Sequence, residues 1–227
     1  RLPKAAQEWL STGAFLGASF DLDVLATAGG LDATGALGTV WPALAQGMLE
    51  MVEEGNAPGS TLAIRFAHDI VQQAAHARVA EAANAERHVA IGQALLDRYV
   101  ASNSLLEHVF EVVQQFNCVP PDAIGQSERG RLVELNLNAG RNARRSGAAA
   151  TALEHFKQAR KLLALSGGTS ARADDFGIAL EQAEATYLAG QFEDLDLLIN
   201  WLASQRTERI LAAKVQELRI QGLLARN

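Results

Sequence analysis

The sequence predicts a mainly α protein built in two modules, and three observations carry that expectation. Aromatic residues make up only 6% of the 227 while alanine is abundant, so helices packed closely through small side chains fit better than bulky β layers. The apolar period is helical along most of the chain, and alternation is confined to two short stretches between Leu49 and Phe66. After Arg78, glycine and serine punctuation recurs at about the length of a helix.

Residues 3 to 20 read as a helix, with Leu10, Ala14 and Phe15 as its apolar stripe and Gly13 and Gly17 weakening its far end. Asp21 caps a second, short helix with Leu22, Val24 and Leu25 inward, closed by Gly29-Gly30. Asp32 to Thr34 opens a third, running to about Gly47 with Leu37, Val40, Trp41 and Leu44 inward. Pro42 removes an N–H and crowds the preceding turn, which predicts a break or kink there, or a helix that begins later. Leu49 to Val52 is a candidate strand, and Glu53 to Ser60 a turn-rich loop.

The next stretch changes character midway. From Thr61 it alternates, with Leu62, Ile64 and Phe66 on one side and Ala63 and Arg65 on the other. From His68 the spacing turns helical, with Ile70, Val71, Ala74 and Ala75 on one face. A strand therefore becomes a helix at His68-Asp69. Asp69 or a near neighbour caps that helix, and the positive end of its dipole suits a phosphate. Three helices followed by a two-stranded hairpin is the order of a winged helix, assigned to residues 1–79.

Residues 80–227 read as helices joined by short loops, at roughly 81–100, 103–117, 126–146, 149–165, 172–189, 192–204 and 207–225. Leu105, Leu106, Val109, Phe110, Val113 and Phe116 form the expected inner face of the second. Breaks fall at Pro120-Pro121, Ser146-Gly147, Ser166 to Ser170, Gly190-Gln191 and near Gln205. Gly140, Gly147, Ala152, Phe156 and Ala159 have the spacing of a tetratricopeptide repeat: small residues where paired helices touch, glycine at the turn, an aromatic between hairpins. A weaker copy has Ala183, Gly190, Phe192, Leu195, Ile199 and Leu202. The expected architecture is a tetratricopeptide-like superhelix of antiparallel hairpins, cut off at its C-terminal end.

Composition narrows the function. A net charge of −6 lacks the basic footprint of a nucleic-acid binder. Between Lys4 and Arg65 there is no Lys or Arg, so the winged helix is expected to pack on protein rather than DNA. The single Cys118 excludes an internal disulfide. No membrane span and no signal peptide are read, and ends without tails suggest an excised fragment of a cytoplasmic protein.

The quoted elements also resemble a family. Phe15-Leu16-Gly17-Ala18-Ser19-Phe20-Asp21-Leu22 is followed by Arg65-Phe66-Ala67-His68-Asp69-Ile70-Val71-Gln72-Gln73-Ala74-Ala75. His88 to Leu96, Phe110 to Val113 and Glu134 to Gly140 come after. This order is similar to the region behind the nucleotide-binding core of bacterial STAND-class signalling ATPases. Such proteins often carry a serine/threonine kinase in front and a GAF domain with a histidine kinase or cyclase behind. The resemblance implies a non-catalytic relay and scaffold. It would couple the nucleotide state of an NTPase core to an output domain, with ATP or ADP and Mg bound only in the full-length protein. It makes His68 the sensor of the nucleotide's phosphates. His76 departs from the family, which has tyrosine there. No Gly-x-x-x-x-Gly-Lys-Ser/Thr loop occurs, so nucleotide binding by this fragment alone is expected to be negligible. The alternatives are a fragment of a MalT-like transcription regulator and a peptide-binding adaptor.

The remaining chemistry is sparse. His68 and His76 lie two turns apart, and no Cys-x-x-Cys or His-Glu-x-x-His spacing suggests a metal site. No nucleophile elbow is found, and the carboxylate pairs Asp174-Asp175 and Asp194 with Asp196 have no predictable partner, so no catalytic residue is assigned. Arg129, Arg131, Arg141, Arg144 and Arg145 read as a solvated face balanced by Glu128 and Glu134, or as a docking surface. Phe156, Tyr187, Phe192 and Trp201 read as packing between hairpins. The partners expected are the flanking domains of the same chain and a peptide in the helical groove.

Overall fold

In a computed structural model, the structure describes residues 2–52, 62–79, 81–166, 171–205 and 208–226. The expected loop at 53–60, the strand's first residue Thr61 and the break at 167–170 lie outside them. The described chain is mainly helical, with one small sheet. Its contacts divide it into two compact units, Arg1–Val119 and Pro120–Asn227. The boundary expected near residue 79 falls inside the first unit.

The first unit begins with α1 (Lys4–Leu16), β1 (Ser19–Asp21), α2 (Leu22–Gly29), α3 (Ala33–Ala45), β2 (Leu49–Val52) and β3 (Ala63–Phe66). Helix α1 stops earlier than its apolar pattern suggests. Gly17 takes φ 136°, a conformation that side chains rarely adopt, and turns the chain into β1. Three residues are too few to show alternation, so β1 had no signal in the sequence. It makes the sheet three-stranded, with β3 in the centre and both neighbours antiparallel to it. Phe20, Ile64, Phe66 and Leu49 join Leu10, Leu25 and Val40 in one core. On the opposite face Arg65 stands across from Glu50 and donates to its carboxylate at 2.9 and 2.7 Å.

Helix α3 shows no break at Pro42 but runs on through it, with its start fixed by Asp32, whose carboxylate accepts from the Gly35 N–H at 2.7 Å. One expectation about its inner face needs correction. Trp41 is 54% exposed rather than inward. Ala36, Val40 and Ala43 define the buried face, and a residue one step beyond Val40 is turned about 100° away from it.

Helix α4 (Asp69–Ala77) follows β3, and α5 (Glu81–Ala101) and α6 (Val109–Asn117) complete the unit. Ile91, Leu95, Leu96 and Tyr99 are buried. The helix expected from residue 103 starts only at Val109. Asn103 adopts φ 54°, which ends α5, and turns fill the gap. Leu106 at 63% exposure and Phe110 at 40% therefore lie outside the core, which Val109, Val112, Val113 and Phe116 form instead.

The second unit opens with a short 3-10 turn at Pro121–Ala123 and continues with α7 (Gln126–Arg145), α8 (Ala149–Ser166), α9 (Ala171–Leu188), α10 (Phe192–Ser204) and α11 (Arg209–Leu224). Each helix packs on the next in sequence, and α9 also touches α11. Gly147, at φ 81°, closes the α7–α8 turn, where the sequence placed a repeat glycine. Ala152, Phe156 and Ala159 are fully buried. Ala183, Leu195, Ile199 and Leu202 share a core with Val215 and Leu218.

Candidate functional site

The strand-to-helix junction lies where the alternation ends. Beyond β3, the Ala67 N–H still donates to Met48 O at 3.0 Å, which holds the chain extended. His68 remains extended, with φ −144° and ψ 140°, and α4 starts at the next residue. His68, not Asp69, is the cap. Its carbonyl accepts from Val71 N at 2.9 Å, while its imidazole makes no capping hydrogen bond. Asp69 occupies the first helical position, where its carboxylate complements the helix dipole. Both side chains are exposed. The imidazole thus stands in solvent at the positive end of a short helix, with either ring nitrogen able to donate when protonated.

The other end of α4 is anchored. Ser11 on α1 is buried and donates to Ala75 O at 2.8 Å. The His76 ring stacks on Phe15, with centroids 4.3 Å apart and planes at 20°. A histidine therefore fills the place where the resemblance expected a tyrosine, as a flat ring on a flat ring. Phe15 also meets the edge of His88 at 4.8 Å, and the Arg87 guanidinium lies 5.9 Å from its centre. Gln115, buried on α6, donates to Phe15 O at 3.2 Å and accepts from His88 Nδ1 at 2.9 Å. Sequence reasoning named Phe15 only as an apolar stripe residue and had no signal for Gln115, because the contacts join residues up to a hundred positions apart.

A second polar group lies at the α5–α6 turn. The Tyr99 hydroxyl donates to Glu111 Oε2 at 2.5 Å, and His108 Nδ1 lies 2.9 Å from Glu111 Oε1. The Tyr99 and His108 rings stack at 4.2 Å. Burial, followed by the bond to the Glu111 carboxylate, pushes the Tyr99 phenol well above its ordinary value. The group ties the end of α5 to the start of α6.

Four arginines of the basic run, Arg129, Arg141, Arg144 and Arg145, are engaged within the fold. Arg141 grips Glu181 in a fork, with contacts from 2.6 to 3.1 Å, and Arg144 pairs with Glu184 and Glu181. These partners come from α9, forty residues away, not from Glu128 or Glu134. Arg129 donates to the carbonyls of Ile124, Leu165 and Asp122, and Arg145 to Asn142. Arg131 is exposed. Phe156 is buried, Tyr187 meets Phe192 edge-on at 6.4 Å, and Arg160 lies 4.8 Å over the Trp201 ring. Asp175 pairs with Arg160, and Asp196 with Arg226.

Among the described residues no group of three His, Cys, Asp or Glu side chains is placed to hold a metal ion, and no helix is long and apolar enough to cross a membrane. Comparison with known proteins found no matching family model, no matching curated protein and no matching solved structure.

Proposed function

We propose that this chain is a non-catalytic relay and scaffold segment of a multidomain signalling ATPase of the STAND class, cytoplasmic, with His68 reading the phosphates of a nucleotide held by an NTPase core. The observation that carries the reading is the exposed, uncapped imidazole of His68 where β3 becomes α4. A phosphate arriving there meets the imidazole and the helix N-terminus together. The far end of α4 rests on Phe15, so a displacement at His68 has a packed path into α1 and α5.

The finer fold assignments belong to the same proposal. The order α1, β1, α2, α3, β2, β3 fits a winged helix, whose long recognition surface here faces protein rather than DNA. The α7–α8 pair, with Gly140 and Gly147 at the contact and the turn, fits a tetratricopeptide-like hairpin. His68→Ala in the full-length protein tests the relay. The expected result is a loss of nucleotide affinity of roughly tenfold, the scale of a hydrogen bond to a charged group, together with altered output. Unchanged affinity with unchanged output overturns it.

A second reading, a peptide-binding adaptor, draws on a groove in the second unit of about 470 Å³. Val133, Leu137 and Ile178 line it beside the Arg141–Glu181 pair. Affinity of this unit for a peptide, unaltered by His68→Ala, would favour it.

A further inference from the structure

A groove of about 540 Å³ runs along the flank of α4, floored by Leu10, Met48, Val71 and Ala75. Ile70 stands on its rim at 73% exposure, the largest exposure of any big apolar side chain in the described chain. Ile70, Ala74 and Arg78 follow at intervals of four, which puts them on one face of the α4 turn. Among the described residues, the groove's lining is otherwise apolar apart from Gln7 and includes no carboxylate.

Arg78 carries the only charge among the described lining residues. Arg65, Arg98, Arg141, Arg144, Arg160 and Arg226 each pair with a carboxylate. Among the described side chains, Arg78 has no ion pair and no hydrogen-bond partner. A water-exposed isoleucine beside a concave apolar surface is the composition of an interface core, and a lone cation at its end selects the charge of what covers it. A second copy of the chain fits poorly. An isologous pairing would set this face against itself, one Arg78 against another.

We propose that this groove docks an acidic amphipathic segment of a partner protein, which sets apolar side chains between Ile70 and Leu10 and a carboxylate against Arg78. The proposal goes beyond the nucleotide reading and does not depend on it, since it uses neither His68 nor a phosphate.

The test uses the full chain and two fluorescent synthetic helices. Both carry leucines at heptad spacing; one has glutamates at its polar positions and its twin has lysines. The chain's net charge of −6 favours the lysine twin by general attraction, so a preference for the glutamate probe reports the groove. The expected result is saturable binding of the glutamate probe. Ile70→Ser weakens it roughly tenfold, as loss of a central apolar anchor does, and Arg78→Glu transfers the preference to the lysine twin. Arg78→Gln, a milder change, removes the preference without creating the opposite one. Thermal melts confirm that each variant is folded. Equal binding of the two probes, no binding, or a preference untouched at Arg78 overturns the proposal. So does a chain dimer in sedimentation that Ile70→Ser dissolves, which would give the groove to a second copy. His68→Ala leaves the probe affinities unchanged, so the two proposals fail separately.

Discussion

Gly140 on α7 lies against the ring of Phe156 on α8 so closely that a β-carbon on the glycine would sit 2.7 Å from the ring. The same device recurs where Gly92 on α5 meets Phe116 on α6, also at 2.7 Å, and where Gly222 on α11 meets Leu195 on α10, at 2.8 Å. Glycine inside a helix costs about 1 kcal/mol relative to alanine. At these three positions the loss is offset by dispersion contacts that any larger residue would forbid.

That contrast gives a paired prediction. Gly140→Ala gains helix propensity but drives a methyl into a fully buried ring, and overpacking of this kind costs about 1–3 kcal/mol. The net effect is destabilisation of the second unit. A β-carbon on Gly130, on the same helix, would meet nothing within 4 Å. Gly130→Ala therefore raises stability by up to about 1 kcal/mol. Urea midpoints of the two variants should move in opposite directions.

The extent to which this was legible in the sequence follows the length over which each signal acts. Helix ends set by one residue were visible, as at Asp32 and Gly147. So was the strand-to-helix change at His68, because a period of two gives way to one of 3.6 within a few residues. Strand β1 was not, since Ser19-Phe20-Asp21 is shorter than any period. Trp41 and Phe110 were misplaced because hydrophobicity says that a residue prefers burial, not that its azimuth on the helix permits it. The sequence reads the basic run as a solvated face, whereas Arg141 and Arg144 bond Glu181 and Glu184 one helix beyond the next. The candidate site divides in the same way: the junction at His68 is readable from its change of period, its phosphate role only from the resemblance, and Gln115 needs the fold.

Asp32 and His68 both stand at helix starts but differ in what their side chains do. Asp32→Ala removes the bond to the Gly35 N–H and should cost the first unit about 1 kcal/mol. His68→Ala removes no capping bond, so its melting temperature should match the wild type. A drop equal to that of Asp32→Ala would mean that the imidazole supports the fold, and functional effects of the variant would then have to be read as structural.

Gln115 is the polar keystone of the first unit. Its amide N–H donates to the Phe15 carbonyl near the end of α1, where helical partners run out, and its oxygen accepts from the His88 Nδ1–H. Gln115→Met keeps the side-chain length but strands both groups, at a cost of about 1–3 kcal/mol for a buried unsatisfied partner. Denaturant titration measures it. Amide exchange should speed up in α1 and α6 more than in α3, because only the first two lose a tie.

His155 on α8 sets a pH dependence in the second unit. Its Nδ1 lies 3.1 Å from Oδ1 of the buried Asn136, whose own amide donates to Leu132 O at 3.0 Å, so the imidazole is the donor. Burial lowers its pKa below the ordinary histidine value, against a smaller opposing pull from Glu154. The unfolded chain, titrating near 6.5, therefore binds this proton more readily than the folded one does. Stability contributed by the neutral ring is complete above that pH, declines as pH falls through it, and stops changing below the depressed folded value. His155→Gln cannot take up the proton and should flatten the stability profile between about pH 7 and 5. Thermal melts of the two proteins across this window, at constant ionic strength, measure the difference. Parallel profiles would mean that the histidine titrates alike in both states, and that its burial carries no electrostatic cost.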